Sequence, residues 1–169
     1  MKELKLTLAG RRNNDELLVK LDDKPVQMKI NGSGNLTCDY QTENDSVNVK
    51  VYRLIDVGGP LWFITQLFFF IIGIFGLFGT HRKERCFAID FEADVELRDA
   101  SAVTLSFDHA SDGARAVEIA TELPVREQKN SYFIDAKAKK TYKTLKIVKI
   151  FLALAIVAAA IAAVILSFV

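Results

Sequence analysis

The feature that most constrains the fold is a long uncharged run at the end of the sequence, residues 150–169, IFLALAIVAAAIAAVILSFV. A helix of this length extends about 30 Å, which matches the thickness of the hydrocarbon core of a bilayer. The run is apolar on every face, and a chain of 169 residues has too little other sequence to bury such a helix. It therefore predicts a C-terminal transmembrane helix and an integral membrane protein.

Lysines precede this run and predict its orientation. Positive charge close to the end of a transmembrane helix stays on the cytoplasmic side. We expect residues 124–149 to form a basic connecting helix in the cytoplasm, with the C-terminus at the far face of the membrane. The spacing of Lys139, Lys143 and Lys146 places three ammonium groups on one helical face, where they could meet anionic lipid headgroups. The lysines expected at the membrane surface are Lys137, Lys139, Lys140, Lys143, Lys146 and Lys149.

The first apolar segment along the chain, residues 58–80, differs from the C-terminal one in its six phenylalanines and its glycines. The basic residues Arg82, Lys83 and Arg85 follow it and are expected to contact lipid at the membrane surface. Its C-terminal end and residues 81–149 are therefore predicted to be cytoplasmic. Two topologies stay open. The segment either dips into the bilayer and returns as a re-entrant hairpin, or it crosses as a transmembrane helix and leaves residues 1–57 outside.

Small residues in both apolar segments are candidate helix-packing positions. Ala155, Ala159 and Ala163 recur every four residues, and Gly73 and Gly76 interrupt the first segment. Small side chains at such spacing let two helices approach closely, which predicts a protein partner or a homo-oligomer formed through the membrane helices. Neither segment contains a charged residue, and this argues against an ion pathway or a proton relay.

The polar parts of the chain alternate with a period of two, as half-buried strands do. The clearest case is CFAIDFEADVEL, with apolar residues on one face and acids on the other. About eight or nine short strands, separated by turns rich in Gly, Asn and Asp, predict a mainly β fold, an antiparallel sandwich or a partly closed barrel. Residues 1–57 and 81–123 would supply one half each. Since a domain of that half-size is marginal alone, the hairpin topology is favoured.

The sequence holds little that could support catalysis. His81 lies at the membrane edge, and His109 stands beside Asp108 in a loop without a suitable nucleophile. The acids Asp90, Glu92 and Asp94, with Glu96, are interpreted as a solvated strand face rather than a calcium site. Two distant cysteines predict neither a zinc site nor a disulfide scaffold. We therefore expect no catalytic residues, no metal and no cofactor.

These observations favour a non-enzymatic integral protein of the cell membrane, which presents a β-sandwich at the cytoplasmic surface for protein interaction, assembly or sensing. The alternative is a small accessory or immunity-type subunit of a larger membrane complex that acts through its helices. An enzyme centred on His109 is a distant third. A net charge of +1 gives no support for nucleic acid as a partner; the expected partners are the lipid bilayer and another protein.

Overall fold

The computed structural model describes residues 1–9, 17–53, 60–72, 86–107 and 110–167. These residues form ten β-strands and two α-helices, which divide into two compact units. Unit 1 combines Met1–Ile55 with Phe87–Ile134, and unit 2 combines Asp56–Cys86 with Asp135–Val169. Unit 1 is the β-domain, and unit 2 contains both helices.

The elements follow one another along the chain with one helix between the sixth and seventh strands. In order they are β1 (Lys2–Ala9), β2 (Leu17–Leu21), β3 (Lys24–Pro25), β4 (Lys29–Ile30), β5 (Leu36–Thr42), β6 (Ser46–Arg53), α1 (Pro60–Ile72), β7 (Phe87–Glu96), β8 (Ala100–Phe107), β9 (Val117–Ala120), β10 (Val125–Ile134) and α2 (Ala136–Ser167).

The strands form two five-stranded sheets, and each sheet mixes strands from before and after α1. Sheet A has the order β4-β5-β1-β8-β9 and sheet B the order β10-β7-β6-β2-β3. All neighbours are antiparallel except β1 and β8, which run parallel from Glu3 opposite Ala100 to Ala9 opposite Ser106. The mainly β expectation is confirmed. The purely antiparallel one is not, because β8 returns beside β1 from a distant part of the chain.

One hydrophobic core joins the inner faces of the two sheets. The alternation expected from the sequence is confirmed on β1, β6 and β7, where every second residue is buried. Phe91 is the largest fully buried side chain, and burial of such a side chain contributes roughly 1.5–3 kcal/mol. Ile30 departs from the pattern with 62 % of its surface exposed, because β4 is a two-residue edge strand.

The turn between β2 and β3 occurs at Asp22 and Asp23, where the sequence predicts a turn. Both residues have positive φ, 49° and 62°, a combination that fits a tight hairpin turn. Aspartate tolerates this region better than most residues. Asp22 is also held by its neighbours, since its carboxylate accepts a hydrogen bond from the amide of Asn48 at 3.0 Å.

The helix expected over residues 124–149 differs from the structure in its first half. Val125–Ile134 form strand β10, and the helix begins at Ala136. The register of β10 against β7 shifts between Glu127 and Lys129, a β-bulge that breaks the alternation of apolar residues. Without a clean period of two, this strand could not be recognised from the sequence.

The first apolar segment forms only a short helix within the described residues. Helix α1 has 13 residues and extends about 20 Å, less than the hydrocarbon core of about 30 Å. Helix α2 has 32 residues and extends about 48 Å. Of the described helices, α2 alone is long and apolar enough to cross a membrane, and none of the residues in its most apolar 18-residue window is buried.

Candidate membrane-attachment site

Three strand ends meet at one end of sheet B, and the chain enters both apolar elements from there. Strand β6 ends at Arg53, β7 begins at Phe87, and β10 ends at Ile134 directly opposite Phe87. The guanidinium of Arg53 donates a hydrogen bond to the carbonyl oxygen of Phe87 at 3.1 Å. Because β6 and β7 are antiparallel neighbours, the chain that leaves at Arg53 returns to the same place at Phe87.

One residue, Asp135, separates β10 from α2, and its side chain caps the start of the helix. The carboxylate of Asp135 accepts a hydrogen bond from the amide of Ala138 at 2.9 Å, which satisfies an amide that would otherwise have no helical partner. The amide of Asp135 donates to the carbonyl oxygen of Cys86 at 2.9 Å. Asp135 thus makes a backbone hydrogen bond at the end of the strands and caps the N-terminus of α2.

Helix α2 has two chemically distinct halves. Residues 136–149 carry all six of the predicted lysines, and residues 150–167 carry no charge. Lys139, Lys143 and Lys146 are exposed and share one face, as their spacing predicts. The division occurs at Lys149, which is half-buried.

Helix α1 packs beside the lysine-bearing half of α2. The rings of Trp62 and Tyr142 meet edge to face, with centroids 5.6 Å apart and planes at 85°. Eight residues further along α1, the ring of Phe70 lies 5.5 Å from the ammonium nitrogen of Lys149. From the first contact to the second, the residue numbers increase on both helices, so the two helices run parallel. Aromatic and cation–π pairs of this kind each contribute roughly 0.5–1.5 kcal/mol.

Helix α1 buries one side and exposes the other. Phe70 is only 3 % exposed, whereas Phe69 is 64 % exposed. The hydroxyl of Thr65, one of the few polar groups of α1, donates to the carbonyl oxygen of Leu61 at 2.8 Å, which satisfies this donor within the helix. The large exposed apolar side chains of α1 are Leu61, Ile64, Phe68, Phe69 and Ile71.

Several predicted site residues fall outside the described part of the chain. Arg82, Lys83 and Arg85 of the basic flank do so, as do Gly73 and Gly76. The alanine stripe is described. Ala155, Ala159 and Ala163 are exposed on the apolar half of α2, and their role in helix packing stays a prediction.

The acidic row of β7 lies on the outer face of sheet B, and two of its four carboxylates, those of Asp90 and Glu92, are paired with lysine. The ammonium group of Lys50 lies 2.8 Å from the carboxylate of Asp23 and 3.2 Å from that of Glu92, its direct cross-strand neighbour. Lys129 on β10 lies 3.6 Å from both Asp90 and Glu92. The two carboxylates raise the pKa of Lys50, and Lys50 lowers that of Asp23.

Asp94 extends this network through neutral donors. The side-chain amide of Asn48 donates to one carboxylate oxygen at 2.7 Å, and that of Gln128 donates to the other at 2.6 Å. Hydrogen bonds to the charged form hold the pKa of Asp94 below its ordinary value. Among the described residues no group of three or more His, Cys, Asp or Glu side chains is placed to hold a metal ion.

Asn130 on β10 of sheet B forms side-chain hydrogen bonds to the start of β9 in sheet A, and so links the two sheets along one edge. The sequence did not reveal this role. Its side-chain oxygen accepts hydrogen bonds from the amides of Ala116 and Val117 at 3.0 and 2.9 Å. Its side-chain nitrogen donates to the carbonyl oxygen of Val117 at 2.7 Å. The backbone adds two bonds nearby, from Gly113 to Tyr132 and from Tyr132 to Ala114.

The two cysteines are free, with Cys38 buried in the core and Cys86 partly exposed. Burial and the nearby charge of Asp39 raise the pKa of the Cys38 thiol, which makes it a poor nucleophile. His81 and His109 lie outside the described residues.

The chain matches no protein family model, and no curated protein and no solved structure is significantly similar to it.

Proposed function

We propose that this chain is a non-enzymatic membrane protein, anchored by α2, that presents a β-sandwich at the cytoplasmic surface for protein interaction, assembly or sensing. One observation carries the proposal. Both sheets contain strands from before and after α1, joined directly by the pairs β1–β8 and β6–β7, and the chain leaves for both helices from one end of sheet B.

Shared sheets require that both halves of the β-domain occupy one compartment. Strands in a sheet lie about 4.8 Å apart and exchange backbone hydrogen bonds, so no bilayer can separate β1 from β8 or β6 from β7. The chain between Arg53 and Phe87 must then return to the side from which it leaves. Helix α2 is the single crossing in this topology.

The lysines give the crossing its direction. Positive charge next to a transmembrane helix is retained in the cytoplasm, and six lysines precede the apolar half of α2. Residues 1–57 and 81–149 are then cytoplasmic, and the end of α2 reaches the far face.

The proposal of a binding function rests partly on how the carboxylates of sheet B are used. Asp90 and Glu92 form ion pairs with lysines and Asp94 accepts two amide hydrogen bonds, so a proton taken up by any of these carboxylates would weaken its contacts. General acid–base catalysis needs a carboxyl whose pKa is raised towards neutrality, and that of Asp94 is lowered.

Cysteine labelling tests the shared compartment. Ser33 and Ser111 are exposed, precede and follow α1 respectively, and can each be replaced by cysteine in a Cys86→Ser background. Buried Cys38 stays as an internal control for leakage or unfolding. Intact cells are treated with a membrane-impermeant thiol reagent, and lysed cells give the maximum signal.

We expect both cysteines to be labelled only after lysis. Labelling of Ser33→Cys alone in intact cells would place the first half outside and refute the shared compartment. Labelling of both cysteines in intact cells would show that the two halves share one compartment, but that this compartment is outside the cell. A His109→Ala variant with unchanged function in the host would remove the remaining support for an enzyme.

A second candidate function is an accessory subunit that acts through its helices, and it is favoured by the apolar half of α2, in which no described residue is buried. Leucine at Ala155, Ala159 and Ala163 would block close helix approach and should abolish copurification of a membrane partner. Leucine at Ala153, Ala158 and Ala160 adds the same volume away from the stripe and serves as the control. Equal loss with both sets would contradict a role for the stripe.

A further inference from the structure

We propose that α1 is an interfacial helix, which lies at the boundary between headgroups and acyl chains in the same leaflet as the lysines of α2 and binds anionic phospholipid with them. The inference rests on the proposed function, in which α2 crosses the membrane, and adds the depth, the leaflet and the ligand of α1.

The depth of α1 follows from its two contacts with α2. The uncharged residues 150–167 extend about 27 Å and fill a hydrocarbon core of about 30 Å. Lys149 is then at the edge of the core, and Tyr142 lies about 10 Å further towards the cytoplasm. Phe70 sits at the level of Lys149 and Trp62 at the level of Tyr142. Helix α1 therefore reaches the edge of the core and does not extend to its centre.

The residue types of α1 suit this depth. Trp62 and Tyr142 pair at the outer level, and these two residue types are enriched where a membrane meets water. Phe68, Phe69 and Ile71 are exposed at the inner level, where acyl chains begin. The C-terminal end of α1 therefore exposes apolar side chains, and it is the end of α1 that lies nearest the apolar half of α2.

The lysines place anionic headgroups next to this apolar surface. At 100° per residue, Lys139, Lys143 and Lys146 lie roughly 80° around α2 from the face that contacts α1. A phospholipid beside α1 can therefore bring its phosphate to an ammonium group while its acyl chains contact phenylalanine. Lysines close to an anionic leaflet each strengthen membrane binding severalfold. A protein partner for the apolar side of α1 would not need this cationic neighbour.

Depth-dependent fluorescence quenching can test the position of α1, because the chain contains one tryptophan. The full chain is reconstituted into vesicles of phosphatidylcholine and phosphatidylglycerol that carry bromine at a shallow or a deep acyl position. The decisive variant combines Trp62→Phe with Phe69→Trp and so moves the tryptophan to the exposed side of α1. A control in the same background, Val157→Trp, marks the middle of the apolar half of α2.

We expect Trp62 and Phe69→Trp to be quenched more by shallow bromine, and Val157→Trp more by deep bromine. Deep quenching of Phe69→Trp alongside a deep control would overturn the interfacial position while the anchor stands. No quenching of Phe69→Trp by any lipid, alongside a deep control, would mean that protein covers α1 and would overturn the lipid as its partner. A control that no lipid quenches would refute the anchor itself.

The same tryptophan tests the lipid class. At Phe69→Trp, brominated phosphatidylglycerol should quench more strongly than brominated phosphatidylcholine. This preference should fall roughly fivefold for each lysine removed in Lys143→Gln and Lys146→Gln. The matched pair Lys137→Gln and Lys140→Gln removes the same charge from other faces of α2 and should change it less. Equal quenching by both lipids, or equal loss with both pairs, would contradict the proposed binding of anionic headgroups beside α1.

Discussion

Replacing Asn130 by alanine should open the edge where β10 of sheet B meets β9 of sheet A. The side chain of Asn130 bonds to the amides of Ala116 and Val117 and to the carbonyl oxygen of Val117. Alanine removes these three bonds, together with one from the side-chain nitrogen to the carboxylate of Glu127 at the surface, without changing the backbone of β10. Both partner residues are 0 % exposed, so water does not reach their backbone groups while the edge stays closed.

The cost can be worked out from these three bonds. A hydrogen bond contributes roughly 1 kcal/mol net, and a buried group that loses its partner costs about 1–3 kcal/mol. Because the edge can open and admit water, we expect a total loss of about 2–4 kcal/mol in the free energy of unfolding. For a domain of this size that lowers the melting temperature by roughly 10–20 °C.

The assay is thermal unfolding of the full chain in detergent micelles, followed by circular dichroism and combined with hydrogen exchange of individual amides. Exchange at Ala116 and Val117 should accelerate more than exchange in the centre of β1 and β6. Gln128→Ala is the matched control, because Gln128 lies on the same strand but bonds only to Asp94 on the exposed face. If Asn130→Ala lowers the melting temperature no more than Gln128→Ala does, the edge-closing role of Asn130 is wrong.

Three further predictions concern the core, the pH dependence of the hydrogen bonds of Asp94, and the start of α2. Phe91→Ala should destabilise the β-domain by roughly 3–5 kcal/mol in chemical denaturation, because Phe91 is 1 % exposed at the centre of the core; a loss below 1 kcal/mol would contradict that position. Asp94 has a lowered pKa, so its bonds stabilise the fold above its ordinary pKa of 3.8 and lose that effect as the pH falls through the lower folded value. The deficit of Gln128→Ala in unfolding experiments should therefore be present at pH 7 and vanish at strongly acidic pH, and a deficit independent of pH would argue against this charge-assisted bond. Asp135→Ala should cost about 1 kcal/mol and raise hydrogen exchange in the first turn of α2, whereas unchanged exchange there would mean that the cap is dispensable.

Local patterns allowed part of the fold to be predicted. Strand β7 could be recognised because each inward position from Phe87 to Leu97 is apolar and is buried in the structure. Strand β10 was missed, since a bulge and an inward Asn130 break the same pattern. The parallel pairing of β1 with β8 leaves no trace in either strand, because pairing between distant segments depends on the whole arrangement of the sheets.

The candidate site shows the same limit. The lysines of α2 were predicted to be at the membrane surface from charge and spacing alone. The pairing of Lys50 with Glu92 was not predicted, because it depends on the register of β6 against β7. The level at which α1 meets α2 likewise depends on the contacts of Trp62 and Phe70, which no sequence period encodes.

In a chain that α2 anchors as proposed, the position of α1 between β6 and β7 also makes folding and membrane insertion compete during synthesis. Strand β1 must wait for β8, nearly one hundred residues later, and α1 emerges from the ribosome before that partner exists. A chain whose first apolar segment were carried across the bilayer would have β6 and β7 in different compartments. Sheet B could not form, and its unpaired strand edges would invite aggregation and removal. Because each sheet is completed by strands from both sides of α1, the proposed topology is a condition for folding, and a chain inserted in any other way could not complete its sheets.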